Sequence, residues 1–183
     1  MCIINQPPEI HFRQTTMLTP EQFVAGLTDF GPGRSKFFAG SADEYLNVHR
    51  LGPSEADVTE GSDGVWERLH YDWSDPNGVV LTTTDSNLWS ELSGHIYMFT
   101  RQPNGTTEID LVVVRDGKNF KGRVLSLVLR TIGRGVLKRA FEDSVRAIEA
   151  RNYKSSISEI TQSRTAALRR APTRCTCAVT NNG

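Results

Sequence analysis

The sequence predicts an α+β fold: a curved antiparallel sheet of about seven strands wrapped around one long C-terminal helix, with two short helices after the first strand. Three observations predict it. Residues 65–73 and 79–85 are strand-like and flank the turn Ser74-Asp75-Pro76-Asn77-Gly78. Residues 94–101 and 106–114 are strand-like and flank Gln102-Pro103-Asn104-Gly105. Residues 118–152 then contain no proline, so roughly thirty of them can form one helix. A sheet with one apolar face needs such a cover.

Taken in order, residues 9–16 form a first strand in which Ile10 and Phe12 alternate with polar residues. Thr19-Pro20-Glu21-Gln22 starts a helix. Thr19 is the N-cap, Pro20 takes the first helical position and Gln22 completes a capping box. Phe23, Leu27 and Phe30 follow at helical spacing until Gly31-Pro32-Gly33 stops the element. A second short helix is expected over 34–39, and short strands over 44–51 and 57–60.

The first hairpin register sets Trp73 opposite Val80, Tyr71 opposite Thr82 and Leu69 opposite Thr84 on the inner face, with Arg68 against Asp85 outside. In the second, Asn104-Gly105 as a two-residue turn sets Thr100 opposite Ile109, Met98 opposite Leu111 and Ile96 opposite Val113. That face is apolar. The other face pairs Arg101 with Glu108, Phe99 with Asp110 and Tyr97 with Val112.

The long helix carries Leu137, Phe141, Val145 and Ile148 as a narrow stripe near its end. Its first half has Phe120, Val124, Leu127 and Val128 together with Leu125, Leu129 and Ile132, so it is apolar on most sides. That half must be buried deeply or touch something besides its own sheet. Gly133-Arg134-Gly135 interrupts the helix at a cost of about 1 kcal/mol per glycine, which a bend or a close backbone approach would justify. Beyond Asn152 aliphatic periodicity is gone. The expected organisation is an extension over 1–8, one domain over 9–152 and a disordered tail over 153–183.

This element order resembles the helix-grip fold of the START-like, or polyketide cyclase (SRPBCC), superfamily. Trp66-Glu67-Arg68, Tyr71-Asp72-Trp73-Ser74, Thr83-Thr84-Asp85-Ser86-Asn87 and Arg115-Asp116-Gly117-Lys118-Asn119 carry a likeness to actinobacterial-type members over residues 9–151. The resemblance implies an apolar cavity between sheet and long helix that takes a hydrophobic, lipid- or polyketide-like small molecule. In the registers above, its lining would be Leu69, Tyr71, Trp73, Thr82, Met98, Leu111, Val124 and Val128, with Phe37 and Phe38 as a lid at the mouth. The same side chains could equally fill a solid core, since periodicity reports only which face is inward.

The sequence favours a carrier over a cyclase, aromatase or dehydratase, because few acids or bases point inward: Tyr71, and Glu67 if its strand reaches that far. No catalytic residue is assigned. The histidines His11, His49, His70 and His95 are scattered, and His70 and His95 fall on the outer faces. No nucleophile-elbow, zincin, Cys-x-x-Cys or phosphate-loop pattern occurs, so no cofactor or metal is expected; Cys175-Thr176-Cys177 would need further ligands.

Charge is zero overall but divided. Residues 1–117 hold 7 Lys and Arg against 17 Asp and Glu, a net of −10; residues 118–183 hold 14 against 4, a net of +10. Complementarity between helix and sheet accounts for this most simply. Lys118, Lys121, Arg123, Arg130, Arg134, Lys138 and Arg139 lack interleaved aromatic stacking residues, so no nucleic-acid partner is expected, whereas weak contact with an anionic membrane fits. Three cysteines near the ends make no disulfide framework, and with no secretory signal visible a cytoplasmic protein is expected. Oligomeric state is not legible.

Overall fold

The computed structural model describes Pro7 and residues 9–38 and 40–170. Seven strands form one curved antiparallel sheet among them: β1 (Glu9–Thr16), β2 (Asn47–Leu51), β3 (Glu55–Ser62), β4 (Val65–Asp72), β5 (Gly78–Ser86), β6 (Gly94–Arg101) and β7 (Thr107–Val114). The order across the sheet is β1-β7-β6-β5-β4-β3-β2, so the six later strands are an uninterrupted meander and β1 closes on β7. Helix α1 (Pro20–Leu27) and a single 3₁₀ turn (Arg34–Lys36) follow β1. Helices α2 (Phe120–Thr131) and α3 (Arg134–Arg170) follow β7. The chain divides into two units, residues 1–150 and residues 151–183.

Helix α1 starts as its sequence dictates: the Gln22 amide donates to Thr19 Oγ1 at 3.3 Å and the Thr19 amide to Gln22 Oε1 at 2.9 Å. Its Phe23 and Leu27 pack with Phe141, Val145 and Ile148 of α3 and with the concave sheet face in one core. Gly26 permits the close approach of α1 and α3, since a Cβ there would lie 2.5 Å from Ile148.

The second hairpin is one residue out of the register expected from Asn104-Gly105. Tyr97 stands opposite Leu111, Phe99 opposite Ile109, and Met98 opposite Asp110. The connection is a three-residue loop, Pro103-Asn104-Gly105, in which Gly105 has φ +84° and Asn104 does not adopt a positive φ. Proline holds the first loop position near −65°, which suits a type I turn followed by a left-handed glycine, and it has no N–H to donate to Thr106 as the flank of a two-residue turn would. A shift of one residue exchanges the faces of a strand. Tyr97 and Phe99 are therefore buried, while Ile96 and Met98 are exposed. Ile109, Leu111 and Val113 are buried as expected.

The first hairpin slips likewise, with Tyr71 opposite Leu81 and Leu69 opposite Thr83, so that Thr82 faces outward. A bulge between Arg68 and Leu69 restores the expected Arg68–Asp85 pair. These registers make a sharp prediction. Tyr97→Ala should cost about 3–5 kcal/mol of stability, whereas Met98→Lys should stay within about 0.5 kcal/mol. Urea unfolding of both variants checks it, and the reverse ranking would restore the original register.

The expected single helix is two. It breaks at Ile132-Gly133, where the Gly133 amide bonds to Val128 O at 2.8 Å and a Cβ on Gly133 would lie 2.8 Å from the Leu129 Cα. Helix α3 then continues beyond Asn152 through Arg170, where fading periodicity predicts disorder. No proline interrupts the chain there before Pro172, and the Ser155, Ser156 and Thr161 hydroxyls bond to carbonyls one turn earlier. Cys2, Cys175 and Cys177 lie outside the described residues.

Candidate functional site

A cavity of about 430 Å³ lies between the concave sheet face and α3. Its apolar wall includes Phe12, Phe23, Leu27, Leu69, Leu81, Leu111, Val113, Leu137 and Phe141. On the same sheet face, next to Leu69 of β4, two carboxylates stand side by side. Glu60 of β3 and Glu67 of β4 are direct cross-strand partners, and both line the cavity. Like charges in that relation repel, so each needs a cation of its own.

Arg34 supplies the first. It is buried in the 3₁₀ turn, where Nε donates to Glu60 Oε1 and Nη1 donates to the carbonyls of Leu27 at 2.8 Å and Asp29 at 3.0 Å. Its guanidinium lies between the rings of Phe30 and Phe38, 4.8 and 4.5 Å from their centroids. Nη2 donates to the Tyr71 hydroxyl at 3.1 Å, and that hydroxyl donates to Glu60 Oε2 at 2.8 Å. Ser41 Oγ completes the cluster at 3.3 Å from Glu60 Oε1. Burial first and the Glu60 carboxylate second hold the Tyr71 hydroxyl well above its ordinary pKa.

Arg115, just past β7, supplies the second. It grips Glu67 with two bonds, Nη1 to Oε2 at 2.8 Å and Nη2 to Oε1 at 2.9 Å, and stacks on Trp89 at 5.2 Å. Burial by itself would raise the Glu67 pKa, but the Arg115 guanidinium outweighs it and holds the carboxyl below its ordinary value. His95 Nε2 lies 2.8 Å from Arg115 Nη2. Burial and the adjacent guanidinium push this imidazole down to about 3. It is therefore neutral, accepting from Arg115 through Nε2 and keeping its proton on Nδ1. Tyr97, on the same face of β6, lines the cavity with its hydroxyl pushed up to about 12 by burial.

Of the residues expected in the lining, Phe38, Leu69, Tyr71 and Leu111 meet in the cavity. Met98 and Thr82 are on the outer sheet face, and Val124 and Val128 are exposed on α2, so these four are corrected. The two strand residues left with the register slips, and the two helix residues left when the helix broke in two. Trp73 packs at the sheet end with Nε1 donating to Pro53 O, and Phe37 is half-buried outside the cavity. Arg34, Glu60, Arg115, His95 and Tyr97 were missed. His95 and Tyr97 follow from the β6 register, but nothing local marks Arg34 or Arg115 as inward.

Comparison of the coordinates decides the fold. A protein of Thermus thermophilus aligns at a TM-score of 0.60, with 14% identity over 81% of this chain and 99% of its own. An aromatase/cyclase of a Streptomyces species aligns at 0.56, with 14% identity over 77% and 90%. A START superfamily protein of Mycobacterium smegmatis aligns at 0.50, with 8% identity over 73% and 97%. The chain has the START-like helix-grip fold. Neither a protein-family model nor a curated protein matches the sequence. Within this START-like fold, the cavity occupies the space that the curved sheet and α3 enclose. Among the described residues no group of side chains could hold a metal, and no helix is long and apolar enough to cross a membrane.

Proposed function

We propose that the protein binds and carries a mainly apolar small molecule bearing a few oxygen atoms. The carrying observation is the cavity itself, whose apolar lining adjoins two arginine-clamped carboxylates and the Tyr97 side chain. Apolar surface drives entry, and the polar side orients the guest. The Arg34 and Arg115 ion pairs hold that side rigid before a ligand arrives, which lowers the ordering cost of binding.

A cyclase-type enzyme is the alternative, and the fold shared with an aromatase/cyclase makes folded poly-carbonyl compounds the first guests to screen. The titration behaviour favours the carrier. Acid–base catalysis needs a pKa near the working pH. Here burial drives His95 down to about 3 and Tyr97 up to about 12, with Tyr71 and Glu67 also displaced away from neutrality.

Anilinonaphthalene sulfonate should bind with saturable, one-site stoichiometry, and native mass spectrometry should detect any guest that co-purifies. Ala140 borders the cavity yet stays exposed on α3, so Ala140→Trp has room to fill the cavity edge. Dye affinity should fall by about tenfold or more while stability changes by no more than about 1 kcal/mol. Unsaturable dye uptake, or affinity unmoved by this variant, would count against the cavity as the binding site.

A further inference from the structure

Helix α2 presents its apolar face to solvent. Gly122 and Ser126 turn inward, with the Ser126 hydroxyl bonded to Arg115 O and Gly122 so close to Leu88 O that a Cβ would lie 2.2 Å from it. Asn119 caps the helix through Gly122 N at 2.8 Å and ties it to Asn87 O at 2.8 Å. The helix is thus anchored by one side. At 3.6 residues per turn the opposite side carries Phe120, Val124 and Leu127, with Val128 beside them, exposed by 82, 47, 58 and 42% respectively. Ile132 extends the row at the break, exposed by 84%.

Cations border this row. Lys121 flanks it on one edge and Arg123 and Arg130 on the other, with Arg134, Lys138 and Arg139 following on α3. No acidic residue occurs between Asp116 and Glu142. An apolar stripe edged by lysine and arginine is the pattern of a helix lying in a membrane interface.

We propose that α2 docks the protein on an anionic lipid bilayer, with Phe120, Val124, Leu127 and Ile132 among the acyl chains and Lys121, Arg123 and Arg130 at the head groups. The charge pattern selects this occupant. A second copy seated on the same face would set cation against cation, and a convex row of side chains offers no groove to a folded partner. A fluid hydrocarbon layer needs neither complementarity nor a groove, and its anionic surface attracts each cation. Leu129 of α2 and Leu137 and Ala140 of α3 border the cavity, so docking places that cavity beside the bilayer. The proposal does not depend on what the cavity binds.

Co-sedimentation with phosphatidylcholine vesicles and with phosphatidylcholine–phosphatidylserine vesicles tests it. Wild type should bind the mixed vesicles at low salt, and far less to neutral vesicles or at high salt. Leu127→Glu, at a position already exposed, should weaken binding by about tenfold or more. Lys121→Gln combined with Arg123→Gln and Arg130→Gln should weaken it on the order of a hundredfold. Brominated acyl chains should quench the emission added by Phe120→Trp. Unchanged dye binding by Leu127→Glu shows the domain intact, so loss of vesicle binding alone supports the proposal. Equal binding to both vesicle types, indifference to Leu127→Glu, or a dimer that Leu127→Glu dissociates in place of vesicle binding would overturn it.

Discussion

Replacing Arg34 with methionine is expected to cost about 3–5 kcal/mol of folding stability. The guanidinium is buried and serves four acceptors at once: Glu60, the Tyr71 hydroxyl and the carbonyls of Leu27 and Asp29. Methionine keeps the contacts with Phe30 and Phe38 but leaves the Glu60 carboxylate inside the protein without its cation. Near the transition midpoint each kcal/mol is worth roughly 2–4 °C in a domain of this size, so the melting temperature should drop by roughly 6–20 °C. The double variant Arg34→Met with Glu60→Leu removes both charges and should recover most of the loss. Its recovery distinguishes an uncompensated charge from poor packing. A loss below about 1 kcal/mol for Arg34→Met would show that water reaches Glu60 freely and that the clamp is not structural.

Stability should also fall as the medium is acidified from pH 6.5, and His95 should be the principal cause above pH 5. Folded, this imidazole titrates at about 3, against 6.5 for an ordinary histidine. Between those values the unfolded chain binds the extra proton and the folded chain does not. Unfolding therefore becomes more favourable as pH falls, by at most about 1.4 kcal/mol per pH unit. The ring borders a cavity that water can enter, so about half that slope is expected. Glu67 acts in the same direction at lower pH. Its folded pKa is depressed, so its contribution is complete above the ordinary carboxylate value of 4.5 and lost as pH drops through the folded value. His95→Gln separates the two, since glutamine can accept from Arg115 without titrating. Urea unfolding between pH 5 and 6.5 should show the wild-type slope flattened in the variant, with the other three histidines common to both proteins. Parallel profiles would place His95 in contact with solvent and leave its ring no different from an exposed one.

Much of the fold was legible because its signals are local. The Thr19–Gln22 capping box, the alternation of Ile10 and Phe12, the turn residues between strands and the Leu137-Phe141-Val145-Ile148 stripe each depend on neighbours within a few positions. They yielded the element order, the six-strand meander and the α3 face that meets the sheet. The apolar surplus in the first half of the long helix was legible as well. It required either deep burial or a second contact surface, and the structure leaves the surplus as an exposed row on α2.

The lining of the cavity was decided elsewhere. Strand periodicity fixes which residues share a face, but which face turns inward depends on a single residue of register, and Pro103 set that residue through the turn it allows. Met98 and Ile96 thereby exchanged places with Tyr97 and His95. The polar side of the cavity was further from reach. Arg34 meets Glu60 across 26 positions, and Arg115 meets Glu67 across 48. A buried arginine and an exposed one are spelled alike, because what distinguishes them is a distant carboxylate brought near by chain closure. The sequence by itself determined the elements, their order and the apolar faces, all of which follow from short-range sterics and periodicity. Only the tertiary structure decided the two charge clamps, because each joins residues far apart in the chain that meet only once the sheet has formed.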